Sequence, residues 1–350
     1  MTTEPTLNDQ LADKLWQTLF GGGDTALLTP WQIRRSGRQR GSVRSGELAA
    51  IANMLAELDD LNAGRKRFNR LGEIVEVEPD TAFTSTVRLN PLIEHAGDDP
   101  LRDLRIPDTR DALAKVRLEA DIRALRQSLN VRRIGLRADM LAETADVAAV
   151  SERPVDADWL LRWQEAAARA VAEDFQLLWA RVLVNEVMQP GTHSLRTLAF
   201  LATLSRSDVE ALNLVTRLDF GGYVCHEAPG YFHAAIHGPL FEHLRNIGLL
   251  AEGKPGSLTL ASVARDSFRI VLRCQGKALF VQGEGLHLTL AVLPFTRLGK
   301  EVVPLFTGIP DTAYLFAVGN ALKQRGYRVE MGDWFGQKGG SGLFSEQMAL

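Results

Sequence analysis

The sequence predicts a mainly α protein with three parts. These are a helical, coiled-coil-like N-terminal region, a helical hairpin core, and a small α+β, winged-helix-like C-terminal module. Three observations predict it. Apolar residues recur at spacings of three and four through most of the first 220 positions, the period of an amphipathic helix. Short runs of β-formers joined by glycine turns cluster after residue 265. The chain has 350 residues, 45% apolar and 24% charged. That is an ordinary globular composition, which excludes wholesale disorder, a collagen-like repeat and a disulfide scaffold.

Leu7, Leu11, Leu15 and Leu19 fall four apart, with Trp16 and Phe20 on the flank, and predict a first helix closed by Gly21-Gly22-Gly23. A second helix carries the stripe Leu48, Ile51, Leu55, Leu58 and runs toward Arg65-Lys66-Arg67, cations suited to a helix C-terminus. Residues 73–100 are rich in β-formers but broken by Pro79, Pro91 and Pro100, and read as a loop with one strand pair. From Asp108 to Leu141 the chain reads as a charged helix whose seam is Leu118, Ile122, Leu125 and Leu129. A second copy of the chain is the simplest cover for such a seam, so a homo-oligomer through 108–141 is expected.

Ser151 to Pro154 closes the N-terminal region 1–150. One long helix is expected from Asp156, its N-cap, to Met188, where Pro190-Gly191 stops it. Ser194 caps a short helix, and Ser207 with Glu210 caps the next in a capping box, which completes a hairpin core over 151–222. In the module 223–335, Pro239 opens a helix and Gly248 ends it. The β runs 268–273, 278–282 and 286–292 are joined by turns at Gln275-Gly276-Lys277 and Gly283-Glu284-Gly285, which read as hairpins. Helices over 297–305 and 311–325 lead to a last strand at 327–331, and the glycine-rich tail 336–350 is expected to be flexible.

The formal charge of −3 gives no global attraction to nucleic acid or anionic lipid, so any such binding must use a local patch. Two cysteines, Cys225 and Cys274, suit a reducing compartment. Met1 to Asp13 lacks a basic n-region, and no apolar run approaches a membrane span, so the chain is expected to be cytoplasmic.

The segment Leu178-Trp179-Ala180-Arg181-Val182-Leu183, then Glu186, Pro190-Gly191, Ser194-Leu195-Arg196-Thr197-Leu198, Leu204-Ser205 and Asp208 resembles a bacterial family of unknown function. The resemblance is clearest over about 156–330. It implies a bacterial intracellular protein, with some relatives set among phage-defence or mobile-element genes, and no particular chemistry. The same residues also make sense as packing alone. Trp179 buries a ring between helices, Pro190-Gly191 reverses the chain, and Arg196 is placed to reach Glu186 or Glu173.

Four constellations carry functional readings. Arg34, Arg35, Arg38, Arg40 and Arg44, flanked by Trp31, suit phosphates of nucleic acid or lipid headgroups. With Trp16 and Phe20 beside them they also suit a peripheral membrane contact, and the protein's own acids are the third candidate partner. The helix ending at Gly248 and its following hairpin resemble a recognition helix and wing. His243 and Arg245 would be the basic readers, with Arg269, Arg273 and Lys277 on the wing, for nucleic acid or a partner protein. Cys225, His233 and His237 are a candidate zinc set, the only cofactor the sequence suggests, although neither Cys-x-x-Cys nor His-Glu-x-x-His accompanies them. Finally, His226 to His243 would be the site if the chain were an enzyme, a hydrolase for example. There is no Gly-x-Ser-x-Gly elbow or phosphate loop. A non-enzymatic interaction or regulatory protein is therefore the favoured expectation.

Overall fold

A computed structural model describes residues 6–20, 39–63, 65–68, 74–76, 109–145, 147–262, 267–336 and 342–349. The N-terminal and central parts are helical: α1 (Leu7–Phe20), α2 (Gln39–Asn62), α3 (Thr109–Thr144), α4 (Ala157–Ala167), α5 (Glu173–Met188), α6 (Leu195–Ala202) and α7 (Arg206–Thr216). A two-stranded hairpin, β1 (Lys66–Phe68) with β2 (Ile74–Glu76), follows α2. Of the expected 73–100 insertion, 73 and 77–100 lie outside the described residues. No helix among the described residues is long and apolar enough to cross a membrane.

α1 forms as its leucine spacing predicts, with Leu11, Leu15 and Leu19 buried against α3 and α5. The Asn8 amide donates to the carbonyls of Ala142, Glu143 and Ala145 at 2.8, 3.0 and 3.0 Å, satisfying the end of α3. The Lys14 ammonium donates to the carbonyls of Ser151 and Val187, both at 2.7 Å. α1 is thereby tied to chain on both sides of residue 150.

Three helical expectations are corrected. Leu48 and Leu55 are 54% and 37% exposed, and the buried face of α2 runs instead through Glu47, Ile51, Leu58 and Leu61. Ion pairs set that phase: Arg132 of α3 holds Glu47 at 2.7 Å, and Asp139 of α3 holds Arg44 at 2.6 Å. The seam of α3 is partly covered within the chain, since Leu129 is buried and the half-buried Ile122 and Leu125 pack against the same core. The Leu118 side chain lies outside the described residues. The expected helix 156–188 is two helices. No Gly or Pro marks the break. The side-chain amides of Asn130 and Gln176 take the carbonyls of Ala168 and Ala170 at 2.9 and 3.0 Å, which replaces the helical bonds lost there. Trp163 can then donate its indole N–H to the Trp179 carbonyl at 3.1 Å.

Asp156 and Ser194 cap α4 and α6 as expected. Ser205, not Ser207, caps α7 in a box with Asp208, and Glu210 instead pairs with Arg206 inside the helix.

The C-terminal part holds β3 (Tyr223–Cys225), α8 (Ala234–Asn246), β4 (Gly256–Ala261), β5 (Phe268–Cys274), β6 (Lys277–Gly283), β7 (His287–Pro294), α9 (Arg297–Val302), α10 (Thr312–Gln324), β8 (Arg328–Gly336) and β9 (Gly342–Ala349). Pro239 lies inside α8 rather than opening it. Two antiparallel sheets result, in the orders β3-β7-β4 and β5-β6-β8-β9. Gln275-Gly276 closes the β5–β6 hairpin as expected. The link at 283–285 closes none, because β6 and β7 belong to different sheets. Residues 342–349 of the supposed flexible tail form β9, paired with β8, and 337–341 lie outside the described residues.

Candidate nucleic-acid interface

Of the N-terminal arginines, Arg34, Arg35 and Arg38 lie outside the described residues, as does the Arg40 side chain. Arg44 is corrected from a ligand contact to an internal one: it binds Asp139 at 2.6 Å and Glu143 at 2.9 Å. Trp16 is likewise withdrawn from any membrane role. It is 4% exposed and donates its indole N–H to Asp139 at 3.0 Å.

The zinc candidates do not assemble. Cys225 is fully buried, and burial pushes its thiol up to about 12, which keeps it protonated. His233 is exposed at the start of α8, while His237 lies among Tyr231, Phe232 and Phe241 with ring centroids 5.3 to 6.1 Å away. Among the described residues no group of three or more His, Cys, Asp or Glu is placed to hold a metal ion. His226 stacks on Phe232 at 4.9 Å, and burial lowers its pKa. His243 is bound by Asp208 at 2.8 Å. His226 and His237 thus join an aromatic cluster, and His243 joins a helix–helix contact.

The motif residues are structural. Trp179 is 2% exposed and Glu186 is also 2% exposed. The Glu186 carboxylate accepts the backbone N–H groups of Gly191 (2.6 Å) and His193 (2.9 Å). After Pro190, Gly191 takes φ +96°, the left-handed turn that brings those donors round. Arg196 is exposed, and its expected partners are engaged elsewhere, Glu173 by Arg137.

On α8 the exposed residues include Ile236, Pro239, Glu242 and Asn246, whereas Arg245 is half-buried with its Nε enclosed. A helix that reads duplex DNA would present its cations outward. Lys277 is held by Asp333 at 2.7 Å across β6 and β8.

Arg269 and Arg273 are different. In β5, Phe268, Leu272 and Cys274 are buried, as are Leu279 and Val281 of β6 and Val329 and Met331 of β8. Strand alternation therefore turns the residues between them to the opposite face. The register sets Arg269 beside Gln282 and Gln282 beside Arg328. The next row is Val271, Phe280 and Glu330, and the third is Arg273, Ala278 and Gly332. Trp334 follows on this face, with the Arg273 guanidinium 5.3 Å from its ring centroid. Arg269 and Arg273 are exposed, the Arg328 side chain is 77% exposed, and Glu330 is tied to Arg328 at 2.9 Å. Beside Gln282 and Arg328 opens a cleft of about 450 Å³, whose other lining includes Glu284, Arg325 and Tyr327. Arg325 is anchored by Glu227 at 2.6 Å and by the Thr289 carbonyl at 2.8 Å, and lies 5.8 Å from the Tyr327 ring centroid. Gly283 makes room for that ring, since a Cβ there would sit 2.5 Å from Tyr327 Cδ1.

Arg328, Trp334 and Phe280 were not singled out from the sequence. The Arg-x-Val-x-Arg alternation in β5 was a local signal, but their convergence depends on a β6–β8 register that no local pattern encodes.

Residues 119–222, from within α3 to just past α7, match a family described as a protein of unknown function (DUF2806). No curated protein and no solved structure matches the chain. The arginine-bearing sheet lies outside the matched segment.

Proposed function

We propose that this chain is a non-enzymatic nucleic-acid-binding protein that uses the outward face of the β5-β6-β8-β9 sheet. The observation that carries the proposal is the gathering of Arg269, Arg273 and Arg328 on one face, where Glu330 is the one acid among the described side chains of the β5, β6 and β8 rows and is itself bound to Arg328. Guanidinium groups suit phosphate because they are always charged and offer donors in a planar fork. The winged-helix reading draws support from the sequence α7, β3, α8, β4 and β7 with sheet order β3-β7-β4. Within that reading α8 is a packing element, because its arginine is turned in. A setting in phage defence or a mobile element rests on the family resemblance alone.

The test is fluorescence anisotropy with labelled oligonucleotides. Three phosphate contacts on a single strand predict a fall in affinity of about 20-fold between about 50 and 200 mM salt. In the Arg269→Ala/Arg273→Ala/Arg328→Ala variant both affinity and salt slope should drop. Failure of the folded wild-type protein to bind at low salt, or a variant with an unchanged slope, would overturn the proposal.

A further inference from the structure

We infer that β4 pairs antiparallel with β4 of a second copy, across a two-fold axis at Thr259, so that two sheets become one. The inference goes beyond nucleic-acid binding and stands without it.

β4 ends the sheet β3-β7-β4, and β7 is its one extensive neighbour among the described elements. The Ser262 N–H donates to the Leu286 carbonyl at 2.8 Å, which fixes the phase of the β4–β7 ladder. Gly256, Leu258 and Leu260 therefore turn their N–H and C=O groups toward β7, and Ser257, Thr259 and Ala261 turn theirs away. These outward backbone groups bond to no described residue, and all three residues are exposed. Folded proteins guard such an edge with lysine, proline or a bulge. From Gly256 to Ala261 there is none of these, and the register with β7 is unbroken. The β5 edge of the other sheet is guarded. It bears Arg269 and Arg273, and its Arg269 N–H donates to Ser262 Oγ at 3.0 Å.

The occupant is a second copy because the edge is its own complement. With Thr259 opposite its counterpart, Ser257 falls opposite Ala261 and Ala261 opposite Ser257. Each of these pairs exchanges both backbone bonds, as in a closely spaced antiparallel pair. The exposed face then joins small side chains, with a threonine pair at the axis, a favourable cross-strand match. On the other face Leu258 falls opposite Leu260 of the second copy. Both leucines are half-buried beside the fully buried Leu288 and Leu290, so the pairing covers apolar surface that the single chain leaves open. Gly256–Ala261 carries no charge, so no like charges meet at the axis. Pro255 stands one residue before β4 and limits the pairing there. A strand pair this short lies at the small end of protein interfaces, so the dimer is expected to grow with concentration.

Sedimentation of the full chain from about 2 to about 200 μM should show the mean mass rising from monomer toward dimer. Thr259→Lys sets two ammonium groups face to face at the axis and should hold the chain monomeric over the same range. Because the Thr259 side chain is exposed, the melting temperature of this variant should stay within about 2 °C of the wild type at the lowest concentration. The register is read by cysteine pairing. Thr259→Cys would bring its two Cα atoms about 5.5 Å apart, inside the span of a disulfide. Ser257→Cys would leave its pair about 14 Å apart, outside that span. Under mild oxidation the Thr259→Cys chain should form a linked dimer at least about 10-fold faster than the Ser257→Cys chain. The native Cys225 and Cys274 are both buried and stay out of the reaction. A wild-type chain that remains monomeric throughout, a dimer that survives Thr259→Lys, or equal cross-linking of the two cysteine variants would overturn the inference.

Discussion

His193 sits where the chain turns from α5 into α6, 3% exposed, with its Nδ1 buried and without a hydrogen-bond partner. Its backbone is fully used: the N–H donates to Glu186 at 2.9 Å and the carbonyl accepts from the Trp159 indole at 2.8 Å. Burial pulls its pKa down to about 4, opposed in part by the charge of Glu301. Between about pH 6.5 and 4 the unfolded chain therefore holds a proton that the native chain does not. Stability from this group is fully present above about pH 6.5 and is lost as pH falls toward 4, a change on the order of 3 kcal/mol. Urea midpoints at pH 7 and pH 5 should show it, and His193→Gln should flatten the difference without abolishing it, because His226 is shifted in the same direction. An unchanged pH difference in the variant would mean that His193 is free to protonate in the native state. Neither this residue nor its state was legible in the sequence. Its neighbours in the Pro-Gly turn were, but Trp159, which donates to its carbonyl, and Glu301, whose charge acts on its ring, are distant along the chain. Glu186 was found through the resemblance, although its oxygens hold the turn's backbone and not Arg196.

At the scale of elements, α2 meets α3 through charges. Asp139 is 3% exposed and serves two partners, the Trp16 indole at 3.0 Å and Arg44 at 2.6 Å. Asp139→Ala leaves the buried indole N–H unpaired and should cost about 2–3 kcal/mol. Asp139→Asn keeps an acceptor for the indole and should cost about 1 kcal/mol. Arg44→Ala should cost about 1 kcal/mol or less, since that side chain is 35% exposed. It should leave oligonucleotide affinity unchanged. A binding loss in the stable Arg44→Ala variant would return this residue to the interface. These pairs also explain which elements the sequence made legible. α1, α10 and the β5–β6 hairpin follow from apolar period, caps and turn residues, all of which are local. The phase of α2 departs from its apolar pattern because Leu48 and Leu55 imitate a stripe while Glu47 takes the buried position with Arg132. The last strand runs beyond the expected 327–331: Gly332 lies beside Ala278 and β8 continues to Gly336.

For the whole molecule, the deciding fact is that one buried apolar cluster reaches from Leu11 in α1 to Met331 in β8. Polar ties cross the same ground. Glu301 accepts the Ser194 N–H at 2.7 Å and the Thr197 hydroxyl at 2.6 Å, and Arg181 donates to the Leu305 carbonyl at 2.7 Å. Between the Leu249 carbonyl and α9 there is no space for a side chain, since a Cβ on Gly299 would collide with that oxygen. In such a body the seam of α3 has an internal use, and a second copy is no longer needed to cover Leu129. Ile122 and Leu125 are half-buried and packed on the core, so each contributes about 1 kcal/mol by area. Placing aspartates there adds the cost of partly desolvated charges. Ile122→Asp/Leu125→Asp should then lower the melting temperature by about 5–10 °C, with no change in the mass measured by light scattering. A smaller particle that melted like the wild type would show instead that α3 is the contact between copies, and that its packing inside the chain is incidental.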